Sequence, residues 1–425
     1  MTAPYLEVEG GHQLTGEVTV AGAKNSALKL MCAALLTSEP VILDNIPDLD
    51  DVRVLCELLQ VLGAAVTRPQ PGRVVIQAAQ LHPRAPFELV SKMRASVTVM
   101  GPLLGRLQRA EVALPGGCSI GARPLDLTQT AFEHMGLKFS LEHGYMLVKG
   151  QPQGAAIQLR IPSVSATENV ILAAVLGAGT TTLHNAACEP EIADLAGLLK
   201  AMGAQIHGAG TPLVTIHGVS GLHGAQWRTM PDRIEAGTYI IAAALLAGPA
   251  GVRIRGVPLP ALESFLAQLK AVGVAWVIEG QDTVWVPPAA RLTAVDLTTD
   301  YFPGIATDLQ AAYTILATQC QGATRLHETI YENRLMHLPE LQKMGAKIDK
   351  LDNQRAIITG PTPLSGAHVE STDLRASAAL VLAALVADGW SRVYNLHHLD
   401  RGYERFEGKL AALGARLQRV APVAA

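Results

Sequence analysis

Apolar residues recur with helical spacing along the chain, and six times the helical pattern ends at a glycine. In the first case the helix covers Leu58–Leu62, and alternating apolar and polar residues after the glycine predict a strand. A glycine at this point is typical of the left-handed C′ position, where a residue without a Cβ costs little. The six glycines recur at intervals of 67 to 73 residues: Gly63, Gly136, Gly203, Gly273, Gly345 and Gly414. This spacing predicts six structural repeats of about 70 residues.

Each repeat also has a second helix upstream, which is apolar on nearly every face and is therefore predicted to be buried. These helices are expected at 25–36, 94–104, 167–176, 232–246, 307–317 and 373–386. Short alternating strands bounded by Gly and Pro lie between the helices. Examples are Val18–Val20, Arg73–Gln77, Thr180–His184 and Val252–Arg255. A repeat therefore combines strands with one buried and one covering helix, which predicts an α/β fold.

The number of repeats and the length of the chain predict two similar α/β domains, because 425 residues exceed a single core. The third repeat ends and the fourth begins near 229–232, and the opening strand before Gly22 precedes the first repeat. That strand is expected to pair with the C-terminal half. We therefore expect a discontinuous first domain of residues 1–21 plus 231–425 and a second domain of residues 22–230. The second domain would carry the Cys118 loop, with the active site in the cleft between the domains.

The composition limits the cellular compartments and the classes of binding partner that are expected. The formal net charge of −3 gives no case for a nucleic-acid partner. Five irregularly spaced cysteines favour a reducing compartment, and no secretion signal is visible at the N-terminus. The longest uncharged run, Ala236–Val252, contains Pro249 and is too short to span a bilayer. We expect a cytoplasmic protein without membrane insertion.

The stretch Leu114–Leu127 has the strongest chemical signal. Three glycines and two prolines predict an exposed, mobile loop. Cys118 lies in its middle and Arg123 follows five residues later, surroundings that favour thiolate and proton-transfer chemistry. Most intracellular cysteines are instead buried small apolar residues, and this interpretation suits the other four. They are Cys32, Cys56, Cys188 and Cys320.

Polar and charged residues collect at the N-terminal ends of the buried helices. Any one of them is most simply a helix cap, and this includes Asp308. If the repeats are related by pseudo-threefold symmetry, however, their positive helix ends converge and favour an anion. The cations expected there are Lys24, Arg94, Arg123, Arg334, Arg375 and Arg401. We therefore predict a small phosphorylated substrate. No P-loop, dinucleotide fingerprint or His-Glu-x-x-His motif is present, so neither a cofactor nor a metal is predicted.

Several short sequence motifs of the chain resemble those of the enolpyruvyl transferase family, and within it those of the UDP-N-acetylglucosamine 1-carboxyvinyltransferases. The resemblance covers essentially the whole chain, and the cysteine loop is its most specific part. The motifs are 22–28, 93–96, 115–126, 163–168, 187–192, 307–310, 331–334, 372–377 and 400–405. The fold that the resemblance implies is a two-domain inside-out α/β barrel built from six repeats, in agreement with the period.

The resemblance also implies a reaction, in which phosphoenolpyruvate and UDP-N-acetylglucosamine give the enolpyruvyl ether at the sugar 3-hydroxyl and phosphate. Addition and elimination proceed through a tetrahedral ketal, and the step opens peptidoglycan biosynthesis. By similarity Cys118 is the general acid and also forms a pyruvyl adduct, Asp308 is the base, and Lys24 is catalytic. Lys24, Arg123 and Arg401 match positions around the phosphate of phosphoenolpyruvate. Arg334 and Arg375 match those at its carboxylate, and Arg94 lines the same pocket.

The nucleotide sugar has its own set of matched positions. The resemblance assigns the uracil to 123–127, the diphosphate to 163–165, and the sugar to Asn25, Asp308 and Tyr331. The full set is Asn25, Arg94, Arg123, Pro124, Leu125, Asp126, Leu127, Arg160, Ser163, Val164, Ser165, Asp308, Ile330 and Tyr331. Some members have Gly where this chain has Ser165, and others have Lys where it has Arg160. Both departures would alter the diphosphate geometry modestly.

Two alternatives stay open at this point. The sister enzyme of the shikimate pathway shares the fold and the donor but transfers to shikimate 3-phosphate, and the loop around Cys118 favours the nucleotide sugar over it. A non-catalytic UDP-sugar binding protein would be indicated by loss of Cys118, Asp308 or Lys24, and all three are present. Because residue 118 is cysteine rather than aspartate, we also expect covalent inhibition by the epoxide fosfomycin.

Overall fold

The computed structural model describes residues 4–115, 120–121 and 125–421. In that part of the chain it contains 24 strands and 14 α-helices. Among these helices, none combines the length and the apolar character that crossing a membrane would require.

The strands, numbered β1 to β24 in chain order, are Tyr5–Glu9, Leu14–Thr19, Val41–Asp44, Ala65–Gln70, Arg73–Gln77, Arg84–Ala85, Arg109–Ala113, Lys138–Glu142, Tyr145–Lys149, Ala156–Gln158, Thr180–His184, Gln205–His207, Leu213–His217, Gln226–Arg228, Ala247–Arg255, Val277–Glu279, Thr283–Val286, Leu297–Thr298, Gly322–His327, Lys347–Lys350, Arg355–Gly360, His368–Glu370, Trp390–Tyr394 and Arg416–Val420.

The helices, numbered α1 to α14, are Lys24–Ala33, Asp50–Val61, Phe87–Val90, Met100–Leu107, Asp126–His134, Val164–Ala174, Pro190–Ala201, Arg233–Leu246, Glu263–Val272, Gln310–Gln319, Leu338–Lys343, Leu374–Val386, His397–Asp400 and Phe406–Ala412. Short 3-10 helices cover Ala34–Leu36, Arg94–Val99, Leu259–Ala261 and Thr307–Leu309.

The strands form six four-stranded sheets with one common pattern. An edge strand runs parallel to a central strand, which pairs antiparallel with a third strand, and the third pairs antiparallel with the fourth. Sheets one to six have the orders β14-β3-β5-β4, β6-β7-β9-β8, β10-β11-β13-β12, β2-β15-β17-β16, β18-β19-β21-β20 and β22-β23-β1-β24. The prediction of six α/β repeats is confirmed.

The chain forms two compact units, each with its own apolar core. One comprises the described parts of Gly22–Cys118 and Arg123–Met230 and holds sheets one to three. Its last strand, β14, returns to pair with β3 of sheet one. The other comprises the described parts of Met1–Ala21, Ser119–Ala122 and Pro231–Ala425 and holds sheets four to six. There β1 and β2 complete sheets six and four.

The helices predicted to be buried are buried. In the unit with sheets four to six, α8, α10 and α12 contact one another, and every residue of α12 except Leu374 and Val386 is buried. Asp232 and Asp373 cap α8 and α12 by accepting hydrogen bonds from backbone amides of the first turn. In the other unit α4 contacts α6 and the 3-10 helix that follows α1. Apolar faces thus pack at the centre of each unit, which orients the helix N-termini.

The six periodic glycines all have positive φ, between 76° and 101°, which confirms their predicted left-handed conformation. Left-handed backbone costs a residue with a Cβ about 1–2 kcal/mol. At Gly345 (φ 96°) an added Cβ would meet only the carbonyl oxygen of Pro363, at 3.5 Å, so the constraint there is conformational rather than steric.

A second repeated feature follows the central strands. In sheets one, three and six the next residue is an asparagine with φ between 55° and 59°: Asn45, Asn185 and Asn395. Each Nδ2 donates a hydrogen bond to the carbonyl of the residue that follows the parallel edge strand. Gly256 (φ 75°) takes this place in sheet four. Sheets two and five depart from the pattern, because Leu114 and Glu328 follow their central strands and neither is among the described residues with positive φ.

The conformational constraint predicts opposite effects for two glycine substitutions in one unit. Gly345→Ala should lower the free energy of unfolding by about 1–2 kcal/mol, because alanine disfavours positive φ. Gly408 lies on an exposed face of α14, where an added Cβ would come no closer than 4.0 Å to any atom beyond its chain neighbours and the backbone of its own helix. The second substitution is Gly408→Ala. It should raise the free energy of unfolding by about 0.5–1 kcal/mol. Urea unfolding followed by circular dichroism measures both, and a change of the same sign in the two variants would contradict the assignment.

Candidate active site

Asp308 lies in the 3-10 turn Thr307–Leu309 that leads into α10, and its carboxylate is held by two arginines. Arg334 Nη2 donates to Oδ1 at 2.6 Å, and Arg375 Nε donates to Oδ2 at 3.1 Å. Arg375 Nη2 also lies 3.1 Å from Oδ2 as an ion pair. No side chain caps this turn at Ala306. The simple interpretation of Asp308 as a helix cap is therefore wrong, since its carboxylate binds guanidinium groups instead.

The two arginines are themselves fixed by their surroundings. Arg375 is the second residue of α12, directly after the capped N-terminus, and Arg334 lies in the loop before α11. Their side chains are only 4% and 5% exposed. Each guanidinium also lies over a tyrosine ring, Arg334 over Tyr331 at 5.2 Å and Arg375 over Tyr403 at 5.3 Å. Such stacking fixes the plane of the guanidinium fork.

This arrangement determines the ionisation of the cluster. Burial alone would raise the pKa of Asp308, but the positive charges of Arg334, Arg375 and Arg233 outweigh it and hold that pKa well below its usual range. Arg375 shows the reciprocal effect: burial would lower its pKa, and the charge of Asp308 raises it further above its usual value. Asp308 faces two guanidinium groups, and a guanidinium fork can also bind the carboxylate or phosphate of a ligand. Within the described residues, the buried Nη1 of Arg375 has no hydrogen-bond partner.

Glu328 lies beside the same cluster, and no sequence motif pointed to it. Its Oε2 accepts a hydrogen bond from Thr307 Oγ1 at 2.8 Å. Its Oε1 accepts from the backbone amides of Ile330, at 2.9 Å, and Tyr331, at 3.1 Å. Thr307 Oγ1 in turn accepts from Arg334 Nη1 at 3.1 Å. The predicted site residues Asp308, Ile330, Tyr331, Arg334 and Arg375 thus form one connected cluster.

Lys24 is the first residue of α1, in the unit with sheets one to three. Its Nζ forms an ion pair with Asp51 Oδ2 at 2.7 Å, and both side chains are at most 10% exposed. A cation at the positive end of a helix is unfavourable, and Asp51, which the sequence did not single out, offsets that cost. Asn25 follows in the same turn and is half-buried.

Six of the predicted nucleotide residues lie at the starts of α5 and α6: Leu125, Asp126, Leu127, Ser163, Val164 and Ser165. Asp126 begins α5, and its Oδ2 accepts a hydrogen bond from Arg160 Nη2 at 3.0 Å across an exposed surface. Ser163 caps α6 by accepting from the amide of Ala166 at 3.3 Å, and Val164 and Ser165 form its first turn. Leu125 and Leu127 are half-buried against the apolar core.

Two more predicted residues, Arg94 and Arg401, lie at the ends of short helices. Arg94 begins the 3-10 helix Arg94–Val99 and Arg401 follows α13, and both are half-buried. Cys118, Arg123 and Pro124 lie outside the described residues.

The other four cysteines differ in how deeply they are buried. Cys32 and Cys320 are buried, as expected, whereas Cys56 and Cys188 are only half-buried. Burial raises the pKa of all four thiols, to about 12 for Cys32 and Cys320. None of these four therefore has the lowered pKa that marks a reactive thiol.

No sequence pattern pointed to two further buried ion pairs. Lys29 Nζ lies 2.7 Å from Glu168 Oε2, and Lys409 Nζ lies 2.6 Å from Glu235 Oε1. Burial raises the pKa of each carboxyl to about 7, against the opposing effect of the lysine. Both glutamates lie near the N-termini of buried helices, α6 and α8. Their partners are 139 and 174 residues away in sequence, so local spacing gives no signal for them.

Comparisons with known proteins point to one family. The family model of EPSP synthase (3-phosphoshikimate 1-carboxyvinyltransferase) matches residues 8–410. A UDP-N-acetylglucosamine 1-carboxyvinyltransferase of Gloeobacter violaceus is 46% identical over 426 residues, covering 100% of this chain and 92% of that protein. One from a Caulobacter species is 47% identical over 422 residues, covering 98% of this chain and 97% of that protein.

Solved structures show the same fold. The enolpyruvyl transferase NikO from Streptomyces tendae superposes with a TM-score of 0.89 at 29% identity, covering 99% of this chain and 100% of that chain. EPSP synthase from Acinetobacter baumannii has a TM-score of 0.79 at 18% identity, covering 98% and 100%, a likeness of fold alone. The fold class inferred from the sequence is confirmed. The chain therefore belongs to the enolpyruvyl (1-carboxyvinyl) transferase family, among the UDP-N-acetylglucosamine 1-carboxyvinyltransferases.

Proposed function

We propose that the protein transfers the enolpyruvyl group of phosphoenolpyruvate to the 3-hydroxyl of UDP-N-acetylglucosamine and releases phosphate, the first committed step of peptidoglycan biosynthesis. The observation that carries the proposal is the carboxylate of Asp308 held between Arg334 and Arg375. A hydroxyl acceptor needs a base, and an anionic donor needs cations beside it. The cluster provides both. The names and full-length identity of the relatives support the nucleotide sugar over shikimate 3-phosphate and over a non-catalytic sugar-binding protein.

The chemistry requires two proton transfers in the addition step. The oxygen of the sugar 3-hydroxyl bonds to C2 of phosphoenolpyruvate and gives its proton to Asp308. The methylene carbon C3 receives a proton from Cys118 and becomes a methyl group. In the resulting ketal, C2 still carries phosphate. A methyl proton then returns to the thiolate of Cys118, and the electron pair of that C–H bond re-forms the double bond. The bond between C2 and the phosphate oxygen breaks, and phosphate leaves with its electron pair and takes up the proton that Asp308 accepted.

The low pKa of Asp308 has a mechanistic consequence. A carboxylate paired with two guanidinium groups is a weak base, because the positive charges stabilise its ionised form. In the proposal Arg334 and Arg375 also bind the carboxylate of phosphoenolpyruvate, which would share their charge. The pKa of Asp308 would then rise, so the base would become effective only when the donor is bound.

The remaining roles are assigned by residue type and position. Lys24, Arg123 and Arg401 bind the phosphate of phosphoenolpyruvate, and Arg94 lines its pocket. The nucleotide sugar contacts Asn25, Asp308, Ile330 and Tyr331 through the sugar, Arg160 and 163–165 through the diphosphate, and 123–127 through uracil. A serine-capped helix start such as that of α6 presents amides that suit a diphosphate. A cytoplasmic location remains a prediction.

The acceptor is tested by phosphate release from phosphoenolpyruvate. We expect release with UDP-N-acetylglucosamine and none above background with shikimate 3-phosphate. Release with shikimate 3-phosphate alone would establish the sister activity. Binding of the nucleotide sugar without release from either acceptor would instead support the non-catalytic protein.

Removing the charge of Asp308 tests its role as base. Asp308→Asn keeps the size of the side chain but cannot accept the proton, so kcat should fall by about 10²–10⁴-fold. The dissociation constant for UDP-N-acetylglucosamine should change much less. Asp352→Asn is a matched control, because Asp352 also pairs with an arginine, Arg355, but on an exposed loop. It should leave kcat within about twofold, and an equal loss in both variants would contradict a catalytic role for Asp308.

Fosfomycin tests the role of Cys118. Attack of the thiolate on the epoxide should form one covalent bond to sulfur and abolish phosphate release. Intact-mass and peptide mass spectrometry locate the adduct. Comparing the amount of adduct with and without prior incubation with UDP-N-acetylglucosamine shows whether the nucleotide sugar promotes the reaction. Retained activity with no adduct at Cys118 would refute the assignment, and modification of Cys56 or Cys188 instead would place the reactive thiol elsewhere.

A further inference from the structure

Glu328 occupies a position at which three other repeats place an asparagine, directly after the central strand of its sheet. The asparagines use their side-chain amide to donate to the carbonyl of the residue after the parallel edge strand. In sheet five the corresponding carbonyl belongs to Thr299, and Thr329 Oγ1 donates to it at 2.5 Å. The bond that stabilises the sheet end is therefore made by Thr329, and Glu328 is not needed for it.

Both carboxylate oxygens of Glu328 instead accept hydrogen bonds from residues of the candidate site. The residue is fully buried, and its two oxygens accept from the hydroxyl of Thr307 and from the amides of Ile330 and Tyr331. A buried carboxylate is costly unless hydrogen bonds and nearby positive charge compensate it. Three donors and the guanidinium of Arg334 supply that compensation here. An asparagine would be too short and would present one acceptor oxygen.

These contacts join two segments that the proposed reaction uses together. Through Thr307, Glu328 fixes the turn that carries Asp308, and the same hydroxyl accepts from Arg334. Through the amides of Ile330 and Tyr331 it fixes the loop at the sugar. Glu328 therefore contributes, together with Arg334, to the distance between base and sugar hydroxyl. Misplacement by about 1 Å is enough to slow a reaction by about 10²-fold.

We propose that Glu328 is a positioning residue that sets the geometry of the acceptor hydroxyl relative to Asp308. The inference rests on the proposed function, since it assigns the loop and the turn to the acceptor and the base of that reaction. Glu328 touches neither reacting atom, so its effect is exerted through Thr307, Ile330 and Tyr331.

Kinetic constants for both substrates separate this role from a purely structural one. Glu328→Ala removes all three hydrogen bonds. It should raise KM for UDP-N-acetylglucosamine and lower kcat, each by about tenfold or more, while KM for phosphoenolpyruvate stays within about threefold. Glu328→Gln keeps an oxygen for the two amides but loses the acceptor for Thr307. It should restore KM for the nucleotide sugar and leave kcat reduced.

Glu340→Gln provides the matched control. Glu340 is a buried carboxylate of the same unit that accepts from a backbone amide, that of Glu370, and binds Lys343. It has no contact with the cluster around Asp308 among the described residues. Its substitution should lower the melting temperature without changing KM or kcat by more than about twofold.

The outcomes distinguish the inference from the proposed function. Wild-type KM and kcat in a folded Glu328→Ala protein would overturn the inference. If that variant does not fold, Glu328→Gln decides, and kcat unchanged from wild type would overturn it. If the wild type transfers no enolpyruvyl group, the proposed function fails, and calorimetric binding of UDP-N-acetylglucosamine then tests the loop alone. Equal affinity of the wild type and Glu328→Ala would contradict the inference in that case too.

Discussion

The ion-pair cluster of Asp308 with Arg334 and Arg375 is the interaction on which the rest of the candidate site depends. A single carboxylate faces two buried guanidinium groups, and each guanidinium is backed by a tyrosine ring. Buried charges persist only when they are paired and hydrogen-bonded. The pairing holds Asp308 ionised and holds two guanidinium groups in place. These groups can also bind an anionic substrate, and binding of the anion would in turn change the basicity of Asp308.

The fold makes this cluster possible by aligning helix N-termini. Apolar helices pack against one another in each unit, so their first turns carry the polar residues that the core excludes. Asp373 shows how directly this positions the site, because it caps α12 two residues before Arg375. Lys24 has the corresponding place in α1 and needs Asp51 to offset the helix dipole.

The six repeats do not all have the same type of residue after the central strand. Sheets one, three, four and six place an asparagine or glycine with positive φ after the central strand. In sheet two the residue at this position is Leu114, the first residue of the stretch that contains Cys118. In sheet five it is Glu328. In sheet five the side chain of Glu328 accepts hydrogen bonds from Ile330 and Tyr331, so it holds the loop that follows the strand.

Much of this protein was determined by the sequence alone. Helix amphipathicity, the six glycines and their spacing act within a few residues, so they revealed the repeats, the buried helices and the fold class. The motif around Cys118 and the resemblance it carries indicated the family. The pattern of charges at helix N-termini indicated Arg334 and Arg375 as anion-binding candidates, and only the resemblance matched them to the carboxylate of phosphoenolpyruvate.

Only the tertiary structure decided which groups meet. Asp308 looked like a helix cap, yet it pairs with arginines 26 and 67 residues further along the chain. Glu328 had no motif, and its Thr307 partner is 21 residues away. The buried lysine–glutamate pairs span still larger separations. Which groups form ion pairs and hydrogen bonds depends on distances in space, and the packing of whole helices and sheets determines those distances. Local sequence patterns do not contain that information.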